Sequence, residues 1–105
     1  MYMQIITFGL TRMDDDAFRC LCDELAPAWA AIPGLISKVW LSDAASGTYG
    51  GIYTWETQAA YDAYLESDYF HALATYPNFV NVESRGFGVI EAPTRVTRGL
   101  SETGV

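Results

Sequence analysis

The sequence predicts an α+β fold of the ferredoxin-like type, with a four-stranded antiparallel sheet and two helices on one face. Apolar residues alternate between strand and helix periodicity in the order β-α-β-β-α-β along the 105 residues. Right-handed crossover connections turn that order into one antiparallel sheet with its helices on a single face. The length suits one domain, predicted over residues 1–92 and followed by a C-terminal tail over residues 93–105.

The first strand is predicted over residues 2–10, which are apolar on both faces of the strand. Gln4 is a polar exception, and it either points into a cavity or bonds within the core. The first helix is predicted over residues 13–31, with Asp14 as its N-terminal cap. Pro27 lies inside the helical pattern and predicts a kink or a division of this helix.

Residues 35–55 predict two further strands that form a hairpin around a short polar loop. The loop ends at Gly47, which permits a positive φ angle. Side chains alternate between the two faces of a strand. The second strand of the hairpin therefore places four residues on one face: Tyr49, Gly51, Tyr53 and Trp55.

The second half of the chain predicts two helical pieces and a last strand. Thr57 is the predicted cap of a helix over residues 58–66, and Ser67 is the predicted cap of a piece over residues 68–75. The last strand is predicted over residues 79–91, where its glycines favour a bend or bulge.

Both faces of the predicted strands are apolar, although two helices cover only one face of such a sheet. An uncovered face would expose an apolar patch larger than soluble monomers usually tolerate. A second copy of the chain is the simplest cover, because closed two-fold dimers are the commonest assemblies. The sequence therefore predicts a homodimer.

Charge and motif content argue against several classes of partner and cofactor. Six basic residues stand against thirteen acidic ones, so the clustered positive charge that nucleic acids or anionic membranes require is missing. The sequence has no apolar run long enough for a membrane helix and no signal-peptide pattern. Nucleotide-binding and zinc-protease motifs are also missing. We expect a cytoplasmic protein without a cofactor, a metal, or a nucleic-acid or membrane partner.

Three segments resemble one known family. They are K-V-W-L-S-D-A-A-S-G-T-Y-G-G-I-Y-T-W (residues 38–55), A-A-Y-D-A-Y-L-E (residues 59–66) and E-A-P (residues 91–93). These segments resemble the YdhR-like mono-oxygenases of the dimeric α+β barrel superfamily. The resemblance implies a homodimer whose two sheets form a barrel, with a pocket in each subunit between the sheet and the helices. Relatives in that superfamily oxidise aromatic polyketides without cofactors, degrade haem, or cyclise and rearrange small molecules.

His71 and Arg85 are the candidate catalytic residues. His71 is the only histidine, and its ordinary pKa of about 6.5 suits proton transfer near neutral pH. It is otherwise a surface residue or, by the family resemblance, a haem ligand. Arg85 is the best candidate for stabilising a substrate anion. Its alternative role is an ion pair with Glu83 or Glu56.

The candidate substrate-binding residues are mostly aromatic. Trp40, Tyr53 and Trp55 either stack on a flat substrate or belong to the core and the dimer interface. Lys38 either binds an anionic substrate or is an exposed charge, and Gln4 is the polar residue that could reach the cavity.

These residues favour a cofactor-independent tailoring enzyme, either a mono-oxygenase or a cyclase or isomerase, that acts on a small aromatic or polyketide-like molecule. A non-catalytic dimeric ligand-binding module is the first alternative. A haem-binding or haem-degrading protein is the second, but the first strand lacks the asparagine that the resemblance implies for haem degradation.

Overall fold

The computed structural model describes residues 1–100, which form four strands and four helices. In chain order the elements are β1 (Tyr2–Leu10), α1 (Asp15–Ala30), β2 (Leu35–Asp43), β3 (Thr48–Trp55), α2 (Gln58–Leu65), α3 (Asp68–Ala74), β4 (Phe79–Gly88) and α4 (Glu91–Val96). None of the helices within residues 1–100 combines the length and apolar character needed to cross a bilayer.

The four strands form a single sheet in the order β2-β3-β1-β4, and every neighbouring pair is antiparallel. The first and last strands therefore pair with each other, as the ferredoxin-like order requires. This arrangement confirms the predicted fold class.

Side-chain caps begin the helices at the predicted residues. The Asp14 carboxylate accepts a hydrogen bond from the backbone N–H of Ala17 at 2.8 Å, which starts α1. Thr57 caps α2 in the same way through Ala60 at 3.1 Å. In α3, the Ser67 hydroxyl accepts from a backbone N–H at 3.3 Å. Each cap satisfies an N–H that has no partner within the helix.

Two local predictions were wrong. The helix α1 is not divided at Pro27 but runs continuously from Asp15 to Ala30, and this proline lies in its last turn. The strand β4 ends at Gly88, and the helix α4 forms where the predicted tail begins. Glu91 stabilises that helix, because its carboxylate forms ion pairs with the N-terminal amine at 2.8 Å and with Arg95 at 3.1 Å. The predicted tail also includes residues 101–105, which lie outside the described residues.

One face of the sheet packs against α1, α2 and α3 and forms the core. The core side chains are mostly aromatic: Ile6, Phe8, Phe18, Trp29, Ile32, Tyr49, Tyr53, Trp55, Tyr64 and Leu73. The opposite face stays open in the single chain. There Ile5, Val39 and Phe87 are 36%, 54% and 48% exposed. The helices therefore cover only one side of the sheet.

Candidate active site

A cavity of about 450 Å³ lies between the core face of the sheet and the helices α1 and α3. Side chains from the strands form one wall, and the helices form the other. The lining is mostly apolar and aromatic: Ile6, Phe8, Phe18, Leu21, Cys22, Leu25, Trp29, Lys38, Trp40, Gly50, Gly51, Tyr53, Asp68, Tyr69, Ala72, Leu73, Tyr76 and Phe79. This volume falls in the range of small-molecule binding sites.

Lys38 is the only lysine in the chain, and it is also the only basic residue in the cavity lining. Its Nζ atom lies 3.3 Å from the centre of the Trp40 ring, 4.7 Å from that of Tyr53 and 5.1 Å from that of Trp29. The aliphatic part of the side chain runs past Gly51, where a Cβ atom would lie only 3.0 Å from Lys38 Cε. The glycine therefore leaves the space in which the lysine lies.

The surroundings of Lys38 change its acidity. Burial lowers its pKa from 10.5 to about 7, and this effect outweighs that of the nearby Cys22, which acts in the opposite direction. Within residues 1–100, the amine forms no ion pair that would offset the loss of hydration. The aromatic faces attract the ammonium form, but this attraction is weaker than a carboxylate partner would supply. Near neutral pH, the amine can therefore both accept and donate a proton.

A hydrogen-bonded group of rings supports this lysine. The Trp29 Nε1–H donates to the Tyr64 hydroxyl at 3.2 Å, and the Tyr53 and Tyr64 hydroxyls lie 3.3 Å apart. Burial raises the pKa of both tyrosines, so both hydroxyls stay protonated at neutral pH. The network fixes the orientations of two of the three rings that surround the Lys38 amine.

Gln4 and Trp55 lie in the core rather than in the cavity lining, although both were predicted to bind substrate. The Trp55 Nε1–H donates to Gln4 Oε1 at 3.0 Å, and Gln4 Nε2 donates to the Ser84 hydroxyl at 2.9 Å. Both side chains are fully buried. This chain of bonds joins the three strands β3, β1 and β4 on the core face.

Trp55→Phe should lower the free energy of unfolding by about 2–3 kcal/mol, because it leaves the buried Gln4 carbonyl oxygen without its donor and creates a small void. Urea unfolding followed by circular dichroism measures this loss. Trp40→Phe is the matched control, since the Trp40 indole donates no hydrogen bond within residues 1–100. An equal loss in the two variants would show that the Gln4 bond does not contribute.

The structure does not bring His71 and Arg85 to the cavity. His71 is exposed on α3 and is not part of the lining. Arg85 is exposed on β4, where it is the register partner of Ile5 on the open face of the sheet. Of the seven predicted site residues, Lys38, Trp40 and Tyr53 line the cavity together.

Sequence reasoning missed the helical wall of the site. Cys22, Leu25 and Trp29 follow the three- and four-residue spacing of an apolar stripe on α1, and such a stripe is typical of any helix that packs on a core. A sequence signal for the site would have been that this apolar helix stripe and Lys38, the only lysine of the chain, belong to elements that pack on each other. Asp68 and Tyr69 at the start of α3 also line the cavity, and no sequence pattern distinguished them.

The fold and the cavity together define a ferredoxin-like α+β protein with a cavity between its sheet and its helices. The chain belongs to the family described as "Putative mono-oxygenase ydhR", whose model matches residues 3–100. This match confirms the family resemblance of the sequence motifs. None of the curated protein sequences matches the chain.

Several solved structures share the fold. A "putative antibiotic biosynthesis monooxygenase" from Deinococcus radiodurans is 17% identical, with a TM-score of 0.70 over 88% of this chain and 95% of that one. SnoaB from Streptomyces nogalater, a cofactor-independent oxygenase crystallised as its N63A mutant, is 19% identical, with a TM-score of 0.66 over 86% and 93%. The haem degrader MhuD from Mycobacterium tuberculosis is 17% identical, with a TM-score of 0.69 over 86% and 96%. At these identities, the likeness shows the fold alone.

The cavity residues do not fit a haem ligand set. The only histidine of the chain lies outside the lining, and within residues 1–100 no three His, Cys, Asp or Glu side chains are grouped as metal ligands. Cys22 is the one soft ligand in the lining, and burial raises its pKa and so disfavours the thiolate that binds metals. The donor set therefore points away from the haem alternative.

Proposed function

We propose that the protein is a cofactor-independent, oxygenase-like enzyme that acts on a small aromatic or polyketide-like substrate with an acidic C–H or O–H bond. The observation that carries this proposal is a single, partly buried amine, Lys38, in the wall of a mostly apolar and aromatic cavity. Membership of the mono-oxygenase family and the cofactor-independent description of SnoaB support the same class of reaction.

The cavity suits a flat, electron-rich substrate. Trp29, Trp40 and Tyr53 offer ring faces and edges on which an aromatic molecule stacks. The wall is mostly apolar, so the charge of a bound anion would interact more strongly with Lys38 than it does in solvent. The site therefore favours a substrate that becomes anionic after binding over one that arrives charged.

Lys38 would act as the base. Its neutral amine removes a proton from the substrate, and the resulting ammonium stabilises the carbanion or phenolate that forms. For an anthrone-type methylene group, the carbanion adds to dioxygen and gives a peroxide. Loss of water from that peroxide leaves a carbonyl group. Overall, one CH₂ group and one O₂ give one C=O group and one H₂O, and the substrate itself supplies the electrons.

The base is assigned to Lys38 rather than to the predicted residues His71 and Arg85. His71 is exposed and lies outside the cavity lining, and Arg85 lies on the opposite face of the sheet. A cyclase or isomerase reaction would begin with the same proton transfer, and it differs in consuming no oxygen.

Oxygen uptake with anthrone tests the proposal. The protein should accelerate the uptake of one O₂ per anthrone and form the quinone, with no effect of a metal chelator. His71→Phe should keep this activity, because its side chain does not reach the cavity. If anthrone quenches tryptophan fluorescence on binding but no O₂ is consumed above the uncatalysed rate, the proposal is wrong. Exchange of the methylene protons with deuterated water would then indicate an isomerase, and no exchange a binding module.

We also propose that the active form is a homodimer, with the open faces of two sheets packed together. The support is the row of exposed apolar side chains on that face, among them Ile5, Val39 and Phe87. A patch of this kind is typical of an interface rather than of a monomer surface. A partner sheet would cover the strands that carry Lys38 and Tyr53 on the face opposite to the cavity.

Val39→Glu should convert the dimer to a monomer, because it places a charge among the apolar side chains of the proposed interface. Val39 is 54% exposed in the single chain, so the substitution does not disturb the core. Light scattering at micromolar concentration measures the mass. Ala63→Glu is the control, since this residue is exposed on α2 on the helical side. A wild-type protein of monomeric mass would contradict the proposal.

A further inference from the structure

The structure shows two primary amines, the N-terminal one and that of Lys38, and their surroundings differ. The N-terminal amine donates to Glu91 Oε2 at 2.8 Å, and this ion pair holds it in the ammonium form. The Lys38 amine has neither a carboxylate within ion-pair distance nor a hydrogen-bond partner within residues 1–100. The structure therefore places an unpaired amine in the lining of the cavity.

The position of this amine suits attack on a bound ligand. Three rings lie around Nζ, the nearest with its centre at 3.3 Å, and these rings line the cavity together with Lys38. The facing wall of Leu21, Leu25 and Leu73 is apolar, so it can hold an aromatic ring beside the amine. We propose that Lys38 is a carbonyl-binding nucleophile, which forms an imine with an aromatic aldehyde or ketone held in this cavity.

The reaction is a condensation without a change of oxidation state. The nitrogen lone pair forms a bond to the carbonyl carbon, while the carbonyl oxygen takes up a proton. Transfer of the remaining amine proton to that hydroxyl releases it as water and leaves a C=N bond. One amine and one carbonyl thus give one imine and one water. The protonated imine withdraws electrons from the neighbouring carbon, and a ketone with α-hydrogens is activated for proton loss.

The titratable groups around the cavity permit this reaction. Burial lowers the pKa of Lys38 to about 7, so a large fraction of the amine is neutral and nucleophilic at neutral pH. Cys22 from α1 and Tyr53 from β3 face the same space, and burial raises the pKa of both. From α3, Asp68 brings the only carboxyl group of the lining, together with the Tyr69 hydroxyl. A neutral thiol and neutral hydroxyls compete poorly with an amine for a carbonyl carbon.

Reductive trapping tests the proposal without oxygen, so its outcome is separate from that of the oxygenase proposal. The protein is incubated anaerobically with benzaldehyde and sodium cyanoborohydride near pH 7, and the product is analysed by intact mass and peptide mapping. We expect one benzyl group per chain, located on Lys38. Lys38→Arg keeps a cationic side chain and should remove this label.

Arg95→Lys supplies an internal reference for the labelling rate, because it introduces a second ε-amine on an exposed residue outside the cavity lining. An ordinary lysine is almost fully protonated at this pH, so Lys38 should be labelled about 100-fold faster than the introduced amine. Circular dichroism shows whether each variant is folded. Equal labelling rates for the two amines, or labelling confined to the N-terminus, would overturn the proposal.

Discussion

Lys38→Met should lower kcat/KM for oxygen uptake by about 10²–10⁴-fold, which is the usual contribution of a general base. Methionine keeps most of the length and apolar surface of the lysine side chain but can neither accept nor donate a proton. The cavity should therefore still bind anthrone, as fluorescence quenching can measure. A variant that binds anthrone and keeps its rate would show that Lys38 is not the base.

The pH profile gives a second test of the same residue. Proton abstraction requires the neutral amine, and the pKa of Lys38 is about 7. With a substrate that does not ionise in this range, kcat/KM should rise tenfold per pH unit below pH 7 and level off above it. His71→Phe should keep this profile, whereas Lys38→Met should lose it. A profile that changes in the His71 variant instead would reassign the base.

Lys38→Met should make the protein more stable. The pKa of Lys38 is lowered on folding, so near pH 6 the unfolded chain carries a well-hydrated ammonium and the folded chain must bury one. Between about pH 7 and 10.5 the unfolded state binds the extra proton, and stability therefore rises with pH. The free-energy cost of burying the Lys38 ammonium is complete below about pH 7 and disappears above about pH 10.5. Lys38→Met should accordingly gain about 2–5 kcal/mol near pH 6 and nothing near pH 11.

Urea unfolding of wild type and Lys38→Met across this pH range measures the difference directly. A variant that loses activity while it gains stability marks a residue kept for function, because a purely structural residue would show the opposite sign. If Lys38→Met is less stable than wild type at every pH, the lysine contributes through its contacts with Trp40 and Tyr53 instead.

Local patterns were sufficient to predict the fold. The apolar periods and the caps at Asp14, Thr57 and Ser67 act over a few residues, so they can be recognised without any tertiary contact. The structure confirms these caps. The continuity of α1 through Pro27 could not be predicted, because it depends on how close the proline lies to the end of the helix.

The site could be predicted only in part. Alternation places Lys38, Trp40 and Tyr53 on one face of the hairpin, and Lys38 and Tyr53 are register partners. Trp55 shares that face, but it lies where the helices close over the sheet and is fully buried. Alternation identifies the face of a strand and gives no information about which part of that face the helices leave open.

The proposed base differs from the predicted catalytic residues for a related reason. His71 was selected because its ordinary pKa lies near neutral, but the pKa of Lys38 reaches that range only through burial in the folded chain. Whether residues of the short helix α3 line the cavity, as Asp68 and Tyr69 do, also depends on how that helix packs on the sheet. Both quantities are properties of the tertiary structure.

Gly50→Ala should be the most destabilising small substitution in the sheet. Gly50 pairs with Thr7 of β1 and with Leu41 of β2, so it lies at the centre of the β2-β3-β1 arrangement. Its φ angle is 155°, and a Cβ atom there would lie 1.9 Å from the carbonyl oxygen of Ile6. Neither strand can move away without breaking its ladder, so we expect a loss of more than about 4 kcal/mol.

Alanine variants at two other glycines distinguish the contribution of the steric clash to the loss of stability from that of the backbone strain. Gly47 has a φ angle of 69° and nothing within 4 Å of a Cβ, so Gly47→Ala should lose only about 1–2 kcal/mol. Gly88 also has open space, and Gly88→Ala should stay within about 0.5 kcal/mol of wild type. Thermal and urea unfolding of the three variants should rank Gly50 far above Gly47, and Gly47 above Gly88. Similar losses at Gly50 and Gly47 would mean that β1 and β3 can separate, and the cavity wall that Gly50 shares with Lys38 would then be adjustable rather than fixed.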